Sequence, residues 1–122
     1  PTPNQWVGER PDDPQLPLYV VNAKEDIAAV AFARLKTGGM RYMGFSERGD
    51  LIPDVKPAQD WDALVRGWKK EIETLGAGFA SGDARVDPKK QLATCRYCDL
   101  QTLCRVYERV NALAESEEPA DE

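Results

Sequence analysis

The chain has 122 residues, of which 42% are hydrophobic and 30% are charged, and its formal net charge is −5. This composition suits one modest globular domain or a part of a larger one, and no apolar run approaches the roughly 20 residues that cross a bilayer. The polar, proline-rich start is no secretory signal, and three cysteines cannot all pair within the chain, so we predict a cytoplasmic protein in a reducing compartment without membrane attachment.

The first predicted helix covers residues 13–23, after an opening that four prolines and a glycine make irregular. Asp13 is a good N-cap, and Pro14 suits the first helical position. Gln15 and Tyr19 follow four residues apart, so both side chains should lie on one face of the helix. For these two residues alone, the simpler interpretation is a surface glutamine and a core aromatic.

A β-hairpin is predicted next, with residues 27–36 paired to residues 40–47. The first segment is apolar and rich in alanine, which by propensity alone also suits a helix. The Thr-Gly-Gly sequence that follows is a turn signal, however, and the residues after it look like a strand. The turn signal therefore favours the hairpin over the helix.

Two further helices are predicted from apolar residues that recur at three- and four-residue spacings. The first covers residues 60–75 and is expected to end at Gly76 and Gly78. The second covers residues 100–114, and its buried stripe consists of Leu103, Val106, Tyr107, Val110 and Leu113.

Charge is distributed unevenly along the chain. Residues 115–122 carry five acids and no base, which predicts a disordered acidic tail behind a neutral domain over residues 1–114. Residues 85–105 are locally basic, which suits a nearby phosphate backbone, although a solvated face is the simpler explanation of such a run. The charged residues of this stretch are Arg85, Lys89, Lys90, Arg96 and Arg105, against Asp87 and Asp99.

Every cysteine of the chain lies in one C-x2-C-x5-C pattern, formed by Cys95, Cys98 and Cys104. Two thiolates of a C-x2-C pair can converge on one metal, and a third can arrive from the next helix. The chain has no histidine, so a tetrahedral site needs a fourth ligand from elsewhere. Structural zinc, an iron–sulfur cluster and free thiols all remain open. The cluster is slightly favoured over zinc because it accepts a ligand from far away in sequence.

Together, the Pro-Gln-Leu-Pro-Leu-Tyr run at residues 14–19 and the cysteine pattern resemble the C-terminal part of RecB-type nucleases of the PD-(D/E)xK superfamily. The chain looks most like the AddB-type helicase–nuclease subunit and the CRISPR-associated adaptation nuclease, over most of residues 6–114. The resemblance implies an α/β (α+β) fold, a partial restriction-endonuclease-like domain. In it, three helices pack a short β-hairpin, and a C-terminal helix bears the cysteines.

The resemblance also implies a function, namely that of a Mg²⁺-dependent DNA exonuclease in DNA repair or recombination. Its partners would be DNA and a helicase subunit or domain. Gln15 and Tyr19 match the Gln-x3-Tyr motif of the family, which would position active-site groups or the DNA. The cysteine pattern matches the last three ligands of a 4Fe-4S cluster. The residues expected to contact DNA phosphates are Lys89, Lys90, Arg96 and Arg105.

Two parts of the family pattern have no counterpart in the chain. The acid-x-Lys pair and the first cluster cysteine precede the Gln-x3-Tyr helix in the family, and the 14 residues before Gln15 contain neither. We therefore expect a C-terminal fragment of a larger protein, inactive by itself and short of one cluster ligand. The alternative is a non-catalytic zinc-binding or protein-interaction module, which leaves the order of the two motifs unexplained.

Overall fold

A computed structural model describes residues 2–90 and 92–108 of the chain. The chain divides into two units, Pro1–Gly82 and Asp83–Glu122. The first unit opens with a 3-10 helix and continues with α1 (Gln15–Asn22), β1 (Ala29–Arg34), β2 (Arg41–Ser46) and α2 (Trp61–Ala80). The second unit holds the one-turn helices α3 (Leu92–Cys95) and α4 (Gln101–Cys104). This mixture of helices and a small antiparallel sheet confirms the predicted α+β class. None of the helices within the described ranges is long and apolar enough to cross a membrane.

Helix α1 confirms the first predicted helix, with slightly narrower bounds. The Oδ1 atom of Asp13 accepts the backbone N–H of Gln15 at 3.4 Å, just ahead of the helix. The N–H of Leu18 donates to the Pro14 carbonyl at 2.8 Å. Pro14 is therefore the residue before the helix rather than its first residue.

The predicted hairpin is confirmed as an antiparallel pair of strands, each somewhat shorter than predicted. The register places Arg34 opposite Arg41 at the end next to the turn. The turn is closed by the Gly39 N–H, which donates to the Lys36 carbonyl at 2.9 Å. Gly38 lies between them with a φ of +79°, which glycine adopts without steric cost.

Three tryptophans form the core of the first unit. Trp6 is only 1% exposed, and its ring meets Phe32 and Phe45 edge-on, with centroids 5.7 and 6.0 Å away. The indole N–H of Trp68 donates to the Trp6 carbonyl at 2.7 Å, and Trp61 packs edge-on against Trp68. The prediction of an irregular opening is therefore wrong in part. Residues Pro3–Trp6 form a 3-10 helix, and it ends at Trp6 in the core.

Helix α2 begins as predicted and ends later. The Oδ1 atom of Asp60 accepts the N–H of Ala63 at 2.8 Å, which is an N-cap. The predicted stop at Gly76 and Gly78 is wrong, because both lie inside the helix. An internal glycine costs a helix about 1 kcal/mol without forcing it to end. The helix ends instead near Gly82, whose φ of +74° is incompatible with a further helical turn.

The predicted helix over residues 100–114 is interrupted in the described part. Arg105 has a φ of +52°, a left-handed conformation that breaks the helix after α4. The predicted buried stripe is corrected as well, because Val106 is buried while Leu103 and Tyr107 are exposed. A helix interrupted at one residue no longer keeps its apolar positions on one face. Outside the described residues lie Val110, Leu113 and the predicted tail at 115–122.

Candidate functional site

Gln15 and Tyr19 form a hydrogen-bonded pair on the exposed face of α1. The side-chain amide of Gln15 donates to the Tyr19 hydroxyl at 3.1 Å, which confirms the predicted shared face. Tyr19 is 59% exposed, so the interpretation of this residue as a core aromatic is wrong. A different face of the helix carries Leu16 and Val20, which pack against the tryptophan core.

This pair leaves hydrogen-bonding capacity for another molecule. A tyrosine hydroxyl that accepts one hydrogen bond still has its own proton to donate, and the side-chain oxygen of Gln15 can accept. Because α1 is anchored in the core through that different face, the two groups are held in place without being buried. A donor and an acceptor so arranged suit a phosphate oxygen, a bound water or a carboxylate.

A groove of about 660 Å³ opens between the end of α1 and the first turns of α2. Its apolar wall includes Val20 and Trp61, and the indole N–H of Trp61 donates to the Ile27 carbonyl at 3.0 Å. The charged residues along it are Glu25, Asp26, Glu47, Asp62, Arg66 and Lys69. The groove is thus of mixed charge over an apolar wall.

The three predicted cysteine ligands lie at and between the short helices of the second unit. Cys95 ends α3, Cys104 ends α4, and Cys98 lies between the two. All three are free thiols, and Cys98 is exposed while the others are half-buried. The backbone N–H of Leu100 donates to the Cys98 sulfur at 3.4 Å. Hydrogen bonds of this kind stabilise thiolate sulfur and tune iron–sulfur centres.

Thiol ligands are the type that an iron–sulfur cluster takes, but the chain has fewer than the four that a cluster usually needs. The chain has three cysteines. Among residues 2–90 and 92–108, no group of three or more His, Cys, Asp or Glu side chains is arranged to hold a metal ion. The cluster ligands therefore remain a prediction.

The predicted phosphate-binding cations already have contacts within the chain. Arg105 pairs with Glu108 at 2.5 Å. The guanidinium of Arg96 lies 5.6 Å from the ring centroid of the neighbouring tyrosine, which leaves its N–H groups able to bind an anion. Lys89 and Lys90 also take part in interactions within the structure. Their role at phosphates stays a prediction.

The basic stretch is less basic than its composition suggests. Arg85 donates to Asp83 at 2.6 Å. This side-chain hydrogen bond is the main reason why the pKa of Asp83 is lowered to about 2, and both groups are at the surface. An arginine that is ion-paired with a neighbouring carboxylate adds little to the positive electrostatic potential that attracts DNA.

Sequence reasoning overlooks a second group of cations, at the far end of the hairpin. Arg34, Lys36 and Arg41 are exposed there, and residues 27–46 contain no acid. The signal was available in the sequence as a long acid-free segment around a predicted turn.

Comparison with known proteins gives one family. The family model described as the PD-(D/E)XK nuclease superfamily matches residues 1–105, a range that includes Gln15, Tyr19 and all three cysteines. The search of curated proteins gave no match, and neither did the search of solved structures. The match agrees with the helices and small antiparallel sheet of the chain, so the predicted partial restriction-endonuclease-like fold is confirmed.

Proposed function

Since the chain belongs to the PD-(D/E)XK nuclease superfamily, we propose that it is the C-terminal part of a RecB- or AddB-like, metal-dependent DNA exonuclease. Membership of this superfamily indicates a nuclease whose substrate is DNA. The finer proposal includes a role in DNA repair or recombination and a helicase subunit or domain as partner. Mg²⁺, bound by carboxylates that the rest of the protein contributes, would activate water and stabilise the leaving oxygen.

The observation that carries this proposal is the exposed Gln15–Tyr19 pair. A tyrosine that served only packing would have its ring in the core, yet the Tyr19 ring is more exposed than buried. Its hydroxyl is already oriented by the Gln15 amide, so binding a substrate would require little further ordering of either side chain. Groups fixed in this way contribute to catalysis by holding the reacting atoms in position.

In the proposed enzyme, the Tyr19 hydroxyl donates a hydrogen bond to a phosphate oxygen of the DNA or to an active-site carboxylate. The side-chain oxygen of Gln15 accepts from a neighbouring water or N–H group. Neither residue exchanges a proton with the substrate, so both are positioning residues. The anchoring of α1 through Leu16 and Val20 keeps the pair at a constant place during turnover.

We also propose that Cys95, Cys98 and Cys104 supply three of the four thiolate ligands of a 4Fe-4S cluster, with the fourth outside this chain. Two observations support it, the thiol-only donor set and the backbone N–H that donates to the Cys98 sulfur. The cluster would tie the second unit to the part of the protein that contributes the fourth ligand. It would have a structural role and no part in hydrolysis.

The test uses the full-length protein with Tyr19→Phe and Gln15→Ala variants. Loss of one exposed hydroxyl should change the free energy of unfolding by no more than about 1 kcal/mol. We expect DNA cleavage to fall about tenfold or more in each variant at an almost unchanged melting temperature. Measurement of cleavage rates on labelled DNA, together with thermal unfolding, separates the two effects.

Tyr42→Phe is the matched control. Tyr42 is exposed like Tyr19, and within the described residues its hydroxyl makes no hydrogen bond. This variant should cleave at the wild-type rate. Wild-type cleavage in the Tyr19→Phe and Gln15→Ala variants as well would reduce the pair to a surface feature and remove the support for the proposal.

A further inference from the structure

The far end of the β1–β2 hairpin carries positive charge, and neither strand contributes an acid. Arg34, Lys36 and Arg41 are exposed there, and residues 27–46 contain no aspartate or glutamate. Within residues 2–90 and 92–108, none of the three cations forms an ion pair. Solvated protein surfaces usually mix both signs of charge, so a concentration of one sign indicates an anionic partner.

Two of these cations face each other directly. The strand register pairs Arg34 with Arg41. Like charges opposite each other across a sheet are destabilising. Within the described residues neither arginine forms an ion pair, although Asp54 lines one pocket together with Arg41. A phosphate group between the two guanidinium groups would relieve the repulsion, because arginine binds phosphate through paired N–H donors.

Apolar side chains are exposed at the same end of the hairpin. Leu35 is 78% exposed and Met40 is 75% exposed. The register, continued by one pair beyond the strands, sets these two residues opposite each other. Because successive side chains of a strand point to opposite faces, this pair flanks the tip on the side away from Arg34 and Arg41. Aliphatic and thioether side chains at the same end as cations fit a nucleic acid that wraps the tip and whose base faces are accessible. In an intact duplex those faces are covered by stacking, so the matching partner is a single strand.

We infer that the tip of this hairpin, residues 34–41, is a binding site for single-stranded DNA, an inference that rests on the proposed nuclease function. Arg34, Arg41 and Lys36 bind phosphates of the strand. Leu35 and Met40 pack against its unstacked bases. The tip thereby gives the nuclease a preference for single strands, and for duplex ends that have opened, over closed duplex.

The experiment measures binding by the full-length protein in EDTA, which prevents cleavage. Fluorescence anisotropy is recorded over a series of salt concentrations with two labelled probes. One is a single-stranded oligonucleotide, and the other is a closed duplex whose ends are joined by short loops. The variants are Arg34→Gln/Arg41→Gln and Leu35→Ser/Met40→Ser. Lys24→Gln/Lys70→Gln is the control that removes the same charge elsewhere on the first unit.

We expect the arginine variant to bind the single strand about tenfold more weakly. Its slope of log affinity against log salt should be less steep by about 1.4, because each lost phosphate contact removes about 0.7. The Leu35→Ser/Met40→Ser variant should bind the single strand about fivefold more weakly with an unchanged slope, since it loses base contacts only. Its affinity for the closed duplex should equal that of the wild type. The control should keep the wild-type affinity for the single strand to within about twofold.

Three results would overturn the inference. The first is wild-type affinity of both hairpin variants for the single strand. The second is a loss of affinity in the charge control as large as in the arginine variant. The third is an equal loss on the closed duplex in the Leu35→Ser/Met40→Ser variant, which would place the tip in a duplex groove. Each of them leaves the nuclease proposal standing on its own test at Gln15 and Tyr19. A wild-type protein that binds neither probe contradicts the nuclease proposal itself.

All substituted positions are exposed, so melting temperatures within about 2 °C of wild type should verify that each variant is folded.

Discussion

Replacing Gly44 with alanine tests the close approach of the two hairpin strands, on which the geometry of the tip depends. A Cβ at this position would overlap the carbonyl oxygen of Val30 and lie 2.6 Å from the Cα and 2.7 Å from the Cβ of Ala31. Carbon atoms in contact are normally about 3.5–4 Å apart, so β1 and β2 would have to separate by about 1 Å. The obstructing atoms belong mainly to the backbone of β1 and cannot move away by rotation of a side chain.

The expected cost follows from two opposing effects. Overpacking of a close contact costs about 1–3 kcal/mol, and a weakened ladder hydrogen bond adds about 1 kcal/mol. Replacement of glycine returns about 0.5–1 kcal/mol, because alanine has fewer conformations to lose on folding. We therefore expect Gly44→Ala to reduce the free energy of unfolding by about 1–3 kcal/mol.

Equilibrium urea unfolding, followed by tryptophan fluorescence, measures this change, because Trp6, Trp61 and Trp68 all lie in the core. Gly39→Ala is the control in the same hairpin, since a Cβ at Gly39 would meet nothing within 4 Å. The control should stay within about 0.5 kcal/mol of wild type. Equal stability of the two variants would refute the strand register and, with it, the pairing of Arg34 with Arg41.

The remaining predictions concern the second unit. Anaerobic reconstitution of this chain alone should give no stable 4Fe-4S absorption band, because three thiols leave one iron without a cysteine ligand, and a stable stoichiometric band would contradict the proposed outside ligand. In the full-length protein the band should be present and be lost in Cys98→Ser, whereas a zinc site would show no such band. The pKa of Asp83 is lowered from 3.8 to about 2 by its hydrogen bond from Arg85, so this interaction stabilises the folded state above pH 3.8 and is lost as pH falls through about 2. In Arg85→Gln, an NMR titration of the Asp83 carboxyl carbon should give a pKa that returns toward 3.8. An unchanged titration midpoint would show that Arg85 is not the cause of the lowered pKa.

The parts of the fold that could be predicted have local signals. The hairpin follows from a Thr-Gly-Gly turn between two apolar segments, and α1 follows from Asp13 and the apolar residues after it. The place of Trp6 could not be predicted in this way, because Phe32, Phe45 and Trp68 contact it from far along the chain. Propensity also misjudges the end of α2, because a glycine ends a helix only when its φ becomes positive.

In the candidate site, too, only the local features could be predicted from the sequence. Helical spacing alone predicts that Gln15 and Tyr19 share a face, and the hydrogen bond between them confirms it. Exposure depends on which face of α1 the core covers, so the sequence could not decide whether Tyr19 was buried. Composition also does not show which charged residues pair with each other. The ion pair of Arg85 with Asp83 lowers the net positive charge of a stretch that looked continuously basic.

The two proposed DNA contacts of the first unit are connected through one core. Helix α1 contributes Leu16 to the tryptophan cluster, and the hairpin contributes Phe32 and Phe45 to the same cluster. Protein interiors are close-packed, so elements that share a core keep a constant relation to each other. Under the two proposals, we therefore expect a strand bound at the hairpin tip to follow a defined path relative to the Gln15–Tyr19 pair. The exposed tyrosine oriented by a glutamine would then act at the active site. Arg34 and Arg41, which form no ion pair within the described residues, would bind the strand that leads to it.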